Sequence, residues 1–377
     1  MSRLKIATFA DLHVGVTTYG VIDPSTGLNT RVITALQSLD TMIDYCIDNK
    51  IKYIVGAGDI YKNSLPTPTL QREFNIRIKR AANNGIQVYL QSGNHDVSSV
   101  EHAKSPLDPF NTLKVDNIYH SRFKKVFNVD DLFNILILPA YCKQEDIEKI
   151  LDEYNENKPT LIIGHLTVLG AKLNDWLVEQ NELAVNSKVF IRPNIFAVAL
   201  GHLHKHQILN DQPLTYYTGS LQRIDFTEEH QKKGFVVLDV DLDKNDTKYK
   251  FIEIPSQKFF TINLDLKDSD DEMKVVTNFI TMNDENIKNA IVRVLLDVKK
   301  SNNINEEIIK KMLIDLGCKT IATIQKNVDR DEMIRNKSID ETITAEQALR
   351  LYFKDHENSE ELINEGLKLL KLMENNI

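Results

Sequence analysis

Along the first two-thirds of the chain, short β-rich runs alternate with longer segments whose apolar residues recur every three to four positions. Leu4–Phe9 predicts a strand that stops at Ala10-Asp11. Arg31–Asn49 sets Val32, Leu36, Leu39, Ile43, Cys46 and Ile47 at a helical period, with one face inward. Tyr53–Val55 predicts a second buried strand, which runs into Gly56-Ala57-Gly58-Asp59. Leu70–Ala82 follows as a basic amphipathic helix and Ile86–Leu90 as a third strand. Phe133–Leu138, Thr160–Ile163 and Phe196–Leu200 are further strands, and the last two lead straight into Gly-His. Strands alternating with helices in this way predict an α/β fold.

After Phe226 the texture changes. Gly234–Asp241 is one more strand, closing a first domain over residues 1–255. Strands at Phe259–Asp265, Ala290–Asp297 and Thr320–Ile324, with helices around Asp271–Ile280 and Glu306–Leu316, predict a small α/β domain over residues 256–326. The acidic run Asp268–Glu272 suits a solvated helix start. A polar linker, residues 327–343, precedes a helix pair at 344–377. Thr344-x-x-Gln347 forms a capping box, followed by Ala345, Ala348, Leu349, Tyr352 and Phe353 on one face. The second helix starts at Ser359 and carries Leu362, Ile363, Leu367, Leu370 and Met373. Such stripes either pack on their own domain or, set off by a charged linker, meet a partner.

Composition narrows the class. At 377 residues, with 42% hydrophobic and 27% charged content, the chain is expected to be a soluble globular protein of two or three domains. No apolar run approaches the ~20 residues that span a bilayer, and the N-terminus lacks signal-peptide architecture. Cys46, Cys142 and Cys318 are widely spaced and read as reduced thiols, which implies a cytoplasmic setting. A net charge of −8 argues against coating nucleic acid by bulk charge. Bound cations would still reverse the field at a local site.

The polar residues at the strand ends carry the chemistry. They are Asp11 and His13; Asp59; Asn94 and His95; His165; and His202 and His204. Ligands of open α/β sheets bind beyond strand ends, where small residues let the backbone approach closely. Imidazole and carboxylate suit Mn²⁺, Fe²⁺, Co²⁺ or Zn²⁺, and an Asn oxygen suits harder ions. The set is too large for one ion and about right for two. Two ions need a shared anionic bridge, for which Asp59 is the natural carboxylate. Asp11-Leu12-His13 and His202-Leu203-His204 each place two donors at i and i+2, on one side of an extended segment. Taken singly, each motif has a bland reading: Gly-Asp and Gly-Asn-His-Asp serve in turns, and a lone histidine usually sits hydrogen-bonded in a core or surface. Their joint occurrence in order, each at a strand end, favours a metal centre.

Asp11-x-His13, Gly58-Asp59, Gly93-Asn94-His95-Asp96, Gly164-His165 and Gly201-His202-x-His204 resemble the five signatures of the calcineurin-like metallophosphoesterases. Tyr217–Phe226, Lys233-Gly234-Phe235 and Phe251–Phe260 resemble one branch, the SbcD nucleases, bacterial and phage relatives of the meiotic-recombination-eleven nuclease. The resemblance covers about the first 260 residues well. It implies a two-sheet sandwich flanked by helices, with a small α/β capping domain and a C-terminal helix pair. It implies a first metal held by Asp11, His13, Asp59 and His204, and a second held by Asp59, Asn94, His165 and His202. His95, not a ligand, would assist transfer at phosphorus, with Asp96 orienting its ring. The implied activity is a two-metal DNA nuclease using Mn²⁺, exonucleolytic on duplex ends and endonucleolytic on single strands, in DNA repair and recombination. Implied partners are DNA, an SbcC-type coiled-coil ABC ATPase on residues 344–373, and a second copy of the nuclease domain.

One position departs from the resemblance: the residue three after Asp59, often His or Asp in relatives, is Lys62. Lys62 is a candidate phosphate contact, as are Arg72 and Arg77 in the basic helix. The ordinary reading of that helix, and of Arg122, Lys124 and Lys125, is a solvated face. A small-molecule phosphodiesterase, a protein phosphatase, or a non-catalytic scaffold that binds DNA ends is compatible with the same residues.

Overall fold

The computed structural model describes residues 3–97, 104–140, 142–154, 156–173, 176–178, 184–244, 246–298, 304–328, 344–353 and 359–374. Two six-stranded sheets dominate the first 255 residues. The first runs in the order Asp246–Glu253, Gly234–Asp241, Arg3–Phe9, Tyr53–Ala57, Gln87–Gln91 and Ile118–Ser121. Its last four strands are mutually parallel, and Gly234–Asp241 is antiparallel to Arg3–Phe9. The second sheet runs in the order Gln207–Asp211, Leu214–Tyr217, Ile195–Gly201, Thr160–His165, Phe133–Ile137 and Lys125–Val129. Its four middle strands are parallel, with an antiparallel strand at each edge.

The two-residue period of a strand assigns its faces. Ile6, Val55, Tyr89, Ile135, Ile163, Ala199 and Tyr216 fill the layer between the two sheets. Their neighbours Ala7, Phe9, Ile54, Val88 and Leu90 face the opposite way, onto Leu36, Leu39, Met42, Ile43, Phe74 and Ile78. Those six side chains lie on the helices Thr30–Asp48 and Pro68–Asn83. On the far side, Leu136, Ile162, Val198 and Leu200 meet Ile147 and Leu151 of the helix Gln144–Glu153. Burial on both faces explains why the central strands read as unbroken apolar runs. This is the expected two-sheet sandwich with flanking helices.

Both long helices of the first domain begin where the chain supplies a cap. Asn29 accepts from Arg31 N at 2.9 Å, and Thr67 caps the second helix with Pro68 at its start. Cys46 and Cys142 are buried and Cys318 is half-buried, all as free thiols. Among the described residues no helix is long and apolar enough to cross a membrane.

Beyond residue 255, Lys258–Asp265, Ala290–Val298 and Thr320–Val328 form a third sheet in that order, with helices at Glu272–Met282 and Glu306–Asp315. The chain divides into two compact units. One comprises residues 1–262, 276–294 and 306–324, and the other residues 263–275, 295–305 and 325–377. Within the first, the Gln257 amide donates to Asn289 O at 2.7 Å and Lys319 Nζ donates to Gln257 Oε1 at 2.7 Å. Within the second, the helices Ala345–Phe353 and Ser359–Glu374 pack on each other. The capping box forms: Thr344 N donates to Gln347 Oε1 at 2.9 Å, and Gln347 N to Thr344 Oγ1 at 3.2 Å. Most of the polar linker, residues 329–343, lies outside the described residues, as does Ser98 after the Gly-Asn-His-Asp motif.

Candidate metal centre

Parallel strands end on the same edge of a sheet, so segments far apart in sequence meet there. Asp11 and His13 follow Arg3–Phe9, Asp59 follows Tyr53–Ala57, and Asn94 to Asp96 follow Gln87–Gln91. From the second sheet, His165 ends Thr160–His165, and His202 and His204 follow Ile195–Gly201. Asp11, His13, Asp59 and His202 adopt left-handed backbone, with φ of 52°, 48°, 53° and 100°. Four non-glycine residues in that region are a concentration of strain typical of functional sites. The pairs at Asp11/His13 and His202/His204 therefore do not sit on an extended strand, as their spacing had predicted. Tight turns aim the side chains instead, while Leu12 and Leu203 still pack into the core. The first turn is locked to the second strand by Asp11 N to Gly58 O and His13 N to Asp59 O, both 3.0 Å.

The side chains converge on Asp59, which is 2% exposed. Its Oδ2 lies 3.3 Å from His165 Nε2, 3.6 Å from His13 Nε2 and 3.9 Å from His95 Nε2. His13 Nε2 is also 3.1 Å from His204 Nε2, and His165 Nε2 is 3.0 Å from Asn94 Oδ1. Among the described residues, three sets of donor atoms lie within 4.8 Å of one another: Asp11, His13 and His204; His13, Asp59 and His95; and Asp11, Asp59 and His165. Glycine is required alongside. A Cβ on Gly93 would stand 2.2 Å from Asp59 Oδ1, and one on Gly201 would stand 2.1 Å from Ala57 O.

For two of the histidines the protonation state suits cations. Burial, reinforced by His204, lowers the His13 pKa to about 3, and burial with His165 lowers that of His202 to about 4. Both rings are thus neutral at physiological pH, the form that ligates metal. Burial would raise the Asp59 pKa, but the adjacent His165 and its hydrogen bond more than offset this and pull it well below the usual carboxylate range. Burial likewise opposes charge on His165, yet Asp59 raises its pKa to about 9. His165 Nδ1 lies 2.9 Å from Ala57 O, which leaves Nε2 facing Asp59 and Asn94. His13 Nδ1 is buried without a hydrogen-bond partner. Carboxylates and imidazoles clustered in this way fit divalent cations.

His95 and Asp96 part company. His95 N donates to Asp59 Oδ1 at 2.9 Å, and its ring, 39% exposed, faces outward. The expected orienting contact from Asp96 is not made. Asp96 Oδ2 accepts from Ile60 N and Gly93 N, each at 3.0 Å, and Oδ1 accepts from Tyr61 N at 2.8 Å. Those backbone N–H groups hold the fully buried carboxylate beneath the turn that carries Asp59. The ring of His95 is held by a main-chain oxygen, Lys62 O, 3.0 Å from Nδ1.

Of the candidate phosphate contacts, Lys62 is exposed beside the site. Arg77 is engaged elsewhere: Nε donates to Asp40 at 2.8 Å and Nη1 to Glu73 at 3.0 Å. Arg72 also pairs with Glu73. The pairs from Arg77 and Arg80 to Asp40, the latter at 3.0 Å, clamp the helices Thr30–Asp48 and Pro68–Asn83 together.

Sequence reasoning missed Glu228. Its Oε1 lies 2.6 Å from His204 Nδ1 and its Oε2 lies 2.6 Å from Lys233 Nζ. The available signal was Lys233, a buried lysine in the Lys-Gly-Phe segment already marked by resemblance. A charge at the start of an inner strand requires a partner of opposite sign.

Comparison with known proteins places the chain in a family. The family model for calcineurin-like phosphoesterases matches residues 4–206. A DNA double-strand break repair protein Mre11 of Methanococcus maripaludis is 22% identical over 352 residues, covering 90% of this chain and 89% of that protein. The corresponding protein of Methanocaldococcus jannaschii is 27% identical over 274 residues, 70% of each chain. A component of the nuclease SbcCD from Staphylococcus epidermidis is 28% identical over 220 residues, 50% of this chain and 55% of that one. With its strand-end histidines and carboxylates gathered around Asp59, the chain belongs to the calcineurin-like phosphoesterases.

Proposed function

We propose that this chain is a two-metal DNA nuclease, the nuclease subunit of an SbcCD-type repair and recombination complex. The observation that carries the reading is the buried Asp59 carboxylate, whose Oδ2 lies 3.3 Å from His165 Nε2 and 3.6 Å from His13 Nε2, histidines from the two different sheets. In this reading Asp11, His13, Asp59 and His204 hold one cation, and Asp59, Asn94, His165 and His202 hold the other, with Mn²⁺ as the metal. When bound, the two cations lower the pKa of water and neutralise charge on a phosphate. Asp59 anchors both positions, and the outward ring of His95 is free to meet the substrate. With Nδ1 donating to Lys62 O, an Nε2–H would deliver its proton to the departing 3′-oxygen. Lys62 offers a point charge to the phosphate backbone.

The names of the relatives support DNA as the substrate and membership of a complex. In the proposed arrangement the small domain, residues 256–326, steers DNA, the nuclease domain pairs with a second copy, and the complex works in the cytoplasm. The helix pair, residues 344–373, docks an SbcC-type coiled-coil ATPase. Tyr352, Leu362 and Leu369 on that pair are 63%, 40% and 61% exposed, which suits a docking face.

The test incubates purified chain, with and without an SbcC-type ATPase, with Mn²⁺ and end-labelled duplex and single-stranded DNA. Cleavage is expected, and His95→Asn is expected to lose about 100-fold or more while still binding Mn²⁺. Intact DNA alongside rapid turnover of a cyclic nucleotide or phosphoprotein would reassign the substrate. Undiminished cleavage by the variant would remove His95 from the mechanism.

A further inference from the structure

Glu228 and Lys233 are 4% and 1% exposed. Burying two charges is costly even when they pair, so stability alone is a weak reason for them. Their hydrogen bonds indicate another. Lys233 Nζ donates to Ser220 Oγ at 2.9 Å, Gln231 Oε1 at 2.9 Å and His204 O at 3.1 Å, besides its 2.6 Å contact with Glu228 Oε2. Ile224 N donates to the same Oε2 at 3.1 Å. With the Ile224 N–H and the Lys233 ammonium charge both on Oε2, the other oxygen, Oε1, is left to accept from His204 Nδ1. That contact puts the ring's proton on Nδ1 and its lone pair on Nε2, the atom 3.1 Å from His13 Nε2. A carboxylate behind a ligating histidine sets its tautomer and orientation in this way.

The short turn Phe226–Glu228 that carries Glu228 is gripped from its other side. Glu229 accepts from Thr261 N at 2.8 Å and from the Thr261 hydroxyl. Arg293 Nε donates to Thr261 Oγ1 at 2.8 Å, and the Arg293 guanidinium lies 4.4 Å over the Phe226 ring. Phe226 packs edge-on against Phe259 with ring centroids 4.9 Å apart. Neighbouring residues of one turn thus address His204 on one side and the strands bearing Phe259, Thr261 and Arg293 on the other.

We propose that Glu228 is a positioning residue that holds His204 in its metal-ligating tautomer, and that the Phe226–Glu229 turn makes this hold depend on Thr261 and Arg293. The inference rests on the metal-centre reading above. It has a sharp consequence for Glu228→Gln. Lys233 and Ile224 N–H both demand an oxygen, so the glutamine NH₂ is turned toward His204 Nδ1. The ring must then carry its proton on Nε2, the wrong nitrogen. Removing the lysine leaves Ile224 N–H as the one remaining demand on that side, so Lys233→Met in the Glu228→Gln background lets the oxygen return to His204 in part.

The test titrates Mn²⁺ alone into metal-free full-length protein by calorimetry, with thermal melts of the metal-free variants as the check on folding. ¹⁵N histidine shifts report the His204 tautomer. Glu228→Gln is expected to weaken one of two Mn²⁺ sites by about 10- to 100-fold, spare the other, and move the His204 proton to Nε2. The Glu228→Gln/Lys233→Met pair is expected to recover part of that loss and to return part of the proton to Nδ1, whereas a merely structural role leaves the His204 tautomer unmoved in both variants. Arg293→Ala, remote from every ligand, is expected to weaken the same site severalfold, and it keeps the test open if Glu228→Gln fails to fold. Wild-type affinity at both sites in Glu228→Gln, or a His204 proton still on Nδ1 in that variant, overturns the positioning role. Unchanged affinity in Arg293→Ala overturns the coupling. A wild-type chain that binds no Mn²⁺ sinks the metal-centre reading instead.

Discussion

Asp96 Oδ1 accepts a hydrogen bond from Tyr61 N at 2.8 Å, and this contact, not one to an imidazole, defines what Asp96 does. With Ile60 N and Gly93 N on the other oxygen, the carboxylate staples the turn that presents Asp59 to the turn that presents Asn94. Asp96→Asn must set an amide NH₂ against at least one backbone N–H. The variant is expected to lose about 1–3 kcal/mol of stability together with Mn²⁺ affinity, measured by urea melts and calorimetry. An unaltered melt with lost activity would return Asp96 to the role of orienting His95.

Gly93 gives a steric prediction at Asp59 itself. A methyl group there would stand 2.4 Å from Asp59 N as well as 2.2 Å from Asp59 Oδ1, so backbone and ligand must both move. Gly93→Ala is expected to cost about 1–3 kcal/mol and to abolish Mn²⁺ binding. Two intact Mn²⁺ sites in the variant would show that the turn relaxes without moving Asp59.

His120 makes stability depend on pH at a residue outside the ligand set. It is buried, with Nε2 2.8 Å from Ser92 Oγ and Nδ1 3.6 Å from Asp108 Oδ1. Burial lowers its pKa to about 4, although Asp108 opposes the shift. A histidine depressed in the folded state is protonated first in the unfolded chain. Its contribution is complete above the unfolded value of about 6.5 and is lost as pH falls from there toward 4. Urea melts at pH 7.5 and 4.5 should differ by an increment on the order of 2 kcal/mol that His120→Gln removes. An identical pH dependence in the variant would assign the loss to other groups.

Removal of residues 344–377 bears on the helix pair alone. The truncated chain is expected to keep both Mn²⁺ sites and to lose co-purification with an SbcC-type ATPase. Within the pair, a Cβ on Gly366 would stand 3.0 Å from Leu349 Cδ2, so Gly366→Leu should separate the two helices and weaken ATPase binding without truncation. Persistent co-purification of the truncated chain would move the docking site elsewhere.

The chain alone determined most of the architecture, for local reasons. Central strands such as Thr160–His165 and Ile195–Gly201 are buried on both faces and so are continuously apolar, while the helices show their 3.6-residue period because they bury one face. The edge strands Gln207–Asp211 and Lys125–Val129 escaped notice, since half-exposed edges dilute that signal. Asp11, His13, Asp59, Asn94, His165, His202 and His204 were legible because each ends a strand beside small or apolar residues. Tertiary structure alone decided what lies behind those side chains. Asp96 is adjacent to His95 in sequence but turns to three backbone N–H groups, because a buried carboxylate takes the donors that folding brings to it. Glu228 lies 24 residues from His204 and meets it only when two strand ends converge. Hydrogen-bond partners of this kind leave no periodicity in the chain, so only the folded protein reveals them.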